Sequence, residues 1–507
     1  MKPGKFILLA ALLASQAGAE EPLSAIDWLN TPGAVPIAAP RTPVLNEPPT
    51  AQGVTVPEVT VMPLDSAGHE AVGLLPSSVT GLPGSLWSAS AASDLSALWR
   101  RASAEPLPAI QALYYSLLLA EAEPPRDAGG AFLGARVAAL MRLGAVEPAL
   151  ALVERAGPGT PQLFGAYFDL ALLSGEEVAA CQLLRDAPAL RPGYATQIYC
   201  TALNGDWQTA MLLFDTANAL GMLTRTETQL LAQFLDPEMV ETAIGLAPVS
   251  HPSPLLFRLY EAAGTPLPTR NLPLAFAIAD LRGDSGWKAE LEAAERLVRT
   301  GALSENRLLG LYTDQRPAAS GGVWERVAAV QALDRALETR DNEAVAKALP
   351  AAWRLMQQQR LEVAFATLFS ERLSQIELPP RGAALAFRMK LLTPEYEAAT
   401  PGAGASRDER FLASIARGAP DAALAGAGVE QAIARAFATP PRPAPDLARL
   451  IDAGKLGEAI LSAANRADQA DGDLRDIAES LATLRALGLE DTARRAALQM
   501  LILERSE

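Results

Sequence analysis

The stretch Gly205-Asp206-Trp207-Gln208-Thr209-Ala210-Met211-Leu212-Leu213-Phe214-Asp215-Thr216-Ala217 carries the grammar of the chain. A glycine closes an apolar helical run, an alanine follows five residues later, Phe214 comes four after that, and Ala217 three further on. A residue that ends a helix with positive φ is most easily glycine, so Gly205 marks a helix end and a tight turn. A small alanine in the next helix lets two backbones approach, and positions four and seven beyond it lie on the same face. The segment reads as the corner and second arm of a helical hairpin.

The same spacing recurs elsewhere. Gly144, Gly175, Gly454 and Gly488 are followed five residues on by Ala149, Ala180, Ala459 and Ala493, and then by apolar Val153, Leu184, Ala463 and Ala497. Where units are consecutive the glycines stand 31, 30 and 34 residues apart. One hairpin cannot bury its apolar stripe alone, so a step of this length implies neighbours that stack. Composition agrees, because 50% hydrophobic residues with only 6% aromatic leaves Ala and Leu to carry the core, and these favour helix over strand. The expected fold is all-α, an α-solenoid of antiparallel helical hairpins over residues 94–507. Between Thr224 and about Pro445 the regular step is lost, and the Lys288-Ala289 and Asp341–Ala344 neighbourhoods read as degenerate units.

These residues resemble the tetratricopeptide repeat, whose second helix follows a glycine turn and carries small, large apolar and small residues at this spacing. The Gly205–Ala217 stretch fits all four places, whereas the Trp, Leu-Gly and Tyr positions of the family's first helix are mostly replaced. The resemblance implies a tetratricopeptide-like solenoid with a groove for a protein or peptide. The Pro-rich lead and residues 71–83 also resemble exported proteins of Gram-negative bacteria, which implies export and no activity.

The N-terminus reads as a secretory signal over residues 1–19. Lys2 and Lys5 precede an apolar run from Phe6 to Ala14 that closes on Ala17-Gly18-Ala19, the charged, apolar and small-residue parts of such a signal in order. The mature chain is then expected in the periplasm, or secreted, with no transmembrane segment, since no later apolar run approaches membrane-spanning length. Residues 20–93 read as a Pro- and Gly-rich, extended or partly disordered lead. Eight prolines between Asn30 and Pro63 remove backbone donors and bias their neighbours away from helix. Leu74, Leu75, Leu82, Leu86 and Trp87 suit a segment stapled along the first helices.

Charge narrows the partners. The chain has a net charge of −15, and losing Lys2 and Lys5 leaves 41 basic against 58 acidic residues, or −17. Phosphates and anionic lipid surfaces draw affinity from Lys and Arg, so nucleic acid is not an expected partner. His69 and His251 have no partner at metal-ligand spacing, and no HExxH, CxxC, G-x-S-x-G or Walker string occurs. Gly426-Ala427-Gly428 lacks the third glycine of a dinucleotide fingerprint and reads as a turn. No catalytic residue, cofactor or metal is therefore expected. Arg100-Arg101 and Arg407–Arg410 read as solvated helix faces.

Cys181 follows Gly175 by six residues and Cys200 precedes Gly205 by five, which places them on helices of successive units. In an oxidising compartment they suit a disulfide; two buried thiols are the alternative. The functional expectation is a scaffold that holds a protein or peptide partner. The alternative is an envelope enzyme or glycan-binding protein acting on peptidoglycan through a carboxylate pair, and a plain structural spacer is the third reading.

Overall fold

The computed structural model describes residues 70–236 and 249–503. The signal reading of 1–19, the Pro-rich stretch 30–63 and His69 lie outside them. Among the described residues the regular structure is helical and contains no β-strand. The chain enters through α1 (Ser77–Thr80), α2 (Ala92–Arg101), α3 (Pro108–Leu119) and α4 (Ala131–Arg142). Next come α5 (Val146–Ala156), α6 (Pro161–Ser174), α7 (Glu177–Asp186), α8 (Tyr194–Leu203), α9 (Trp207–Ala219) and α10 (Arg225–Leu235). The middle holds α11 (Pro254–Ala262), a 3₁₀ segment (Leu274–Arg282), α12 (Trp287–Arg299), α13 (Glu305–Asp314), α14 (Val323–Glu338), α15 (Asn342–Gln357), α16 (Glu362–Leu373) and α17 (Pro380–Lys390). The last helices are α18 (Arg407–Ala416), α19 (Val429–Ala436), α20 (Pro445–Asp452), α21 (Leu456–Asp468), α22 (Leu474–Ala486) and α23 (Glu490–Ile502).

The five corner glycines share one geometry. Their φ angles lie between 73° and 89°, and at each corner the residue after the glycine donates its N–H to the carbonyl five residues back. Ala145 reaches Leu140, Glu176 reaches Ala171, Asp206 reaches Thr201, Lys455 reaches Leu450, and Leu489 reaches Leu484. This closure satisfies helix-end carbonyls that otherwise lack partners. The offset alanines Ala149, Ala180, Ala210, Ala459 and Ala493 are all 0% exposed. Absence of a larger side chain is what their position requires, because neighbouring helices press directly on them. Phe214 and Ala217 are buried as well.

Most helices pack on their neighbours in sequence: α4 on α5, α5 on α6, α7 on α8, α8 on α9, α14 on α15 and α21 on α22. A second set of contacts joins elements far apart in the chain. Helix α2 packs on α21, and α3 packs on both α21 and α23. The seam is polar at its edge. The N-cap of α3 is Leu107, which has no side chain to cap with; Asp468 Oδ1 accepts the Leu107 N–H at 2.6 Å instead, and Gln499 Oε1 accepts the Ala109 N–H at 2.8 Å. Two first-turn donors of α3 are thus satisfied by residues from α21 and α23.

Residues 70–91 run over this seam and are part of the same core. Leu74 and Leu75 N–H groups donate to the Leu119 carbonyl, and the buried Arg136 side chain donates to the carbonyls of Leu118, Val72 and Ala120 at 2.8, 2.7 and 3.1 Å. Burial lowers that guanidinium to about 10. Further along, Leu86 and Trp87 are each 1% exposed. The Gly457 N–H donates to the Leu86 carbonyl at 3.0 Å, and Trp87 meets Phe132 edge-on with centroids 5.4 Å apart. The helical body therefore takes in residues well before Asp94.

Candidate functional site

The seam opens on one side into a groove of about 660 Å³ between α2, α20 and α21. Its wall is the Gly454 hairpin, one of the five repeated corners. Helix α20 starts with Pro445 at its first position, and the Ala444 N–H just before it donates to the buried Thr483 Oγ1 at 2.9 Å. This fixes the angle at which α20 leaves the core. The Gly454 corner then turns the chain so that α21 runs beside α20.

Asn465 on α21 and Gln469, the residue that caps its end, hold α2 against the groove. Asn465 Nδ2 donates to the Leu98 carbonyl at 3.0 Å, and Gln469 Nε2 donates to the Arg101 carbonyl at 2.7 Å. Gln469 satisfies a helix-end carbonyl of α2, while Asn465 adds a second donor to the Leu98 carbonyl, which already accepts the Ala102 N–H. Asn465 is itself oriented by the Tyr114 hydroxyl, which donates to its Oδ1 at 2.6 Å. Burial, with Asp468 nearby, pushes the Tyr114 phenol far above its ordinary range, so it stays a donor.

The lining combines an apolar floor with a charged rim. Buried Leu447 and half-buried Leu98 and Leu450 supply the floor, with exposed Ala453 also in the lining. Arg101, Arg449, Lys455 and Arg466 supply positive charge, and Asp446 is the one carboxylate in the lining. Arg466 grips Asp446 through two guanidinium nitrogens, one at 3.3 Å, and lies 3.5 Å from Glu479. That hydrogen bond holds the Asp446 carboxyl below the usual range and raises Arg466. Lys455 pairs with Glu458 at 3.2 Å and with Asp94 at 3.8 Å. No aromatic ring lines the groove.

Elsewhere, charged groups brace helices. Glu295 on α12 receives Arg326 Nε at 2.7 Å and Nη2 at 2.5 Å, and the Tyr312 hydroxyl at 2.7 Å. This buried triad links α12, α13 and α14, and its carboxylate is consumed by the two donors. Glu177, Arg258, Glu261 and Arg282 form a similar tie between α7, α11 and the 3₁₀ segment. His251 sits on an exposed loop with its Nδ1 3.0 Å from Ser250 Oγ. Gly428 is the N-cap of α19, and the Gly426 N–H donates to Glu430, so that triplet is a helix entry. Among the described residues no group of three or more His, Cys, Asp or Glu is placed to hold a metal ion. No described helix is long and apolar enough to cross a membrane.

Cys181 on α7 and Cys200 on α8 face each other at disulfide distance, with Cα atoms 4.9 Å apart and both side chains buried. Asn204 Nδ2 donates to the Cys181 carbonyl at 3.2 Å and ties the same two helices.

None of the repeat residues lines the groove; Gly454 stands between the lining residues Ala453 and Lys455, and Ala459 is buried behind them. Arg101, read from sequence as a solvated face, is exposed and stands on the groove rim. Arg449, Asn465 and Gln469 had no signal in the sequence, since their meaning depends on α2 lying beside them. The chain matches no protein-family model, no curated protein and no solved structure.

Proposed function

We propose that this chain is an exported, non-enzymatic scaffold that holds a protein or peptide partner. In this reading its helices are tetratricopeptide-like hairpins stacked in order, with the first and last helices packed on one another. The shared geometry of the five glycine corners and the buried alanines supports the stacked-hairpin part. The cysteine pair at disulfide distance supports an oxidising compartment.

One observation carries the binding role: the groove between α2, α20 and α21 pairs an aliphatic floor with a rim of long polar side chains, the make-up of a recognition surface. The peptidoglycan-enzyme alternative finds no favouring feature there. Its two-carboxylate chemistry needs a facing acid pair, and the groove offers Asp446 alone, already held by Arg466.

The test is selection from a random peptide library against the full chain, with Leu450→Asp as counter-target. Peptides enriched by the wild type and lost with the variant are the expected result. Enrichment of none, or of peptides indifferent to Leu450→Asp, would remove the proposal.

A further inference from the structure

We infer that the groove's occupant is acidic: a peptide segment that sets a carboxylate side chain beside an aliphatic one, seated between Arg101 and Arg449. The inference rests on the groove being a binding site and names what it selects.

The argument is one of charge left over. The chain as a whole carries −15, yet the groove lining holds four cationic side chains against one carboxylate. Two of the four are answered within the fold, Arg466 by Asp446 and Glu479, Lys455 by Glu458 and Asp94. Arg101 is exposed and its Nε donates only to the Ala97 carbonyl of its own helix at 3.3 Å. Arg449 is exposed on α20, where the nearby Asp446 is already taken by Arg466. Among the described residues no carboxylate forms an ion pair with either guanidinium.

Each guanidinium is a planar fork of donors that matches a carboxylate through two parallel hydrogen bonds. Arg101 comes from α2 and Arg449 from α20, and both line the groove together with the aliphatic side chains. A ligand that answers both features carries acids and aliphatic side chains together, which is peptide chemistry. A polyphosphate would satisfy the arginines and leave Leu98, Leu447 and Leu450 uncovered, so nucleic acid fits the groove less well.

The experiment is fluorescence polarisation with the full chain and three labelled synthetic peptides of equal length: one alternating Glu and Leu, one Gln and Leu, one Lys and Leu. The acidic peptide should bind about ten-fold more tightly than the Gln peptide, with the Lys peptide weakest. Raising salt from about 0.05 M to about 0.5 M should erase most of that preference, because the screening length shrinks below the groove's dimensions. Arg101→Glu with Arg449→Glu should invert the order so that the Lys peptide binds best; both side chains are exposed, and an unchanged melting temperature confirms the fold.

Equal binding of the acidic and Gln peptides, both abolished by Leu450→Asp, would overturn the acidic preference and leave the groove reading standing. Binding of none of the three would overturn the groove reading itself. An oligothymidine that displaces the acidic peptide at equal concentration would assign the arginines to phosphate and also overturn the inference.

Discussion

Replacing Gly457 by alanine should lower stability, although helix propensity alone assigns that change the opposite sign. Gly457 is the second residue of α21, and glycine to alanine within a helix ordinarily gains about 1 kcal/mol. Here a Cβ would stand 2.5 Å from Trp87 Cζ3 and 2.7 Å from the Leu86 carbonyl oxygen, both inside van der Waals contact. Trp87 cannot swing aside, since it is 1% exposed and wedged on Phe132. The Leu86 carbonyl is backbone and accepts the Gly457 N–H. Overpacking of this kind costs about 1–3 kcal/mol, and more when backbone must move. Set against the propensity gain, the variant should lose up to about 2 kcal/mol. Gly165, inside α6, is the matched control: a Cβ there would meet nothing within 4 Å, so Gly165→Ala should gain about 1 kcal/mol. Urea denaturation followed by far-ultraviolet circular dichroism on wild type and both variants reads the difference. If Gly457→Ala proves as stable as Gly165→Ala, the close packing of residues 70–91 on α21 is wrong.

Three further outcomes follow from other parts of the fold. Arg340 closes α14 with φ of 53°, a left-handed conformation that disfavours residues with a Cβ, so Arg340→Gly should raise stability by about 0.5–1 kcal/mol in the same denaturation assay. Burial raises the Asp169 carboxyl from 3.8 to about 6, so the native state holds its proton more tightly than the unfolded chain. Stability should therefore fall as pH rises between those two values, and Asp169→Asn should stabilise by up to about 3 kcal/mol near neutrality and by little at about pH 4; a gain equal at both pH values refutes this. Linking Cys181 to Cys200 closes a loop with a sequence separation of 19, so Cys181→Ser with Cys200→Ser should cost about 3 kcal/mol. Intact-mass analysis without reductant should show the wild type, produced in an oxidising compartment, two hydrogens lighter than its reduced form, and two alkylatable thiols would exclude the link.

The helical class and the five glycine corners were readable because both partners of the pattern, the glycine and the alanine, kept their identity. The middle of the chain hides corners of the same kind. Arg340 and Arg360 take the left-handed position with φ of 53° and 55°, and Asp341 and Leu361 donate back to Ala336 and Met356 as at the glycine corners. Five residues on stand Val345 and Phe365, and nine on Leu349 and Phe369, all 0% exposed. The geometry survived while the residue types changed, so the pattern of glycine and alanine showed the first only as a degenerate unit at Asp341–Ala344 and passed over the second. Gly221, Gly264 and Gly301 close helices in the same way but are followed at the fifth place by Thr226, Thr269 and Asn306, while Gly418 is followed there by Ala423 in a turn rather than a helix. The groove was unreadable for a different reason. Its arginines and amides come from the two ends of the described chain, and nothing in hairpin periodicity states that those ends meet.

That meeting has a bearing on how the protein is made. The first turn of α3 takes its hydrogen-bond acceptors from Asp468 and Gln499, which leave the ribosome long after it. Until then α3, an apolar helix, has no cover on the side that α21 and α23 will occupy, and loop closure over such a span is slow. A nascent or C-terminally clipped chain would thus expose a sticky surface near its beginning, and completion of the last helices is what makes the early ones soluble.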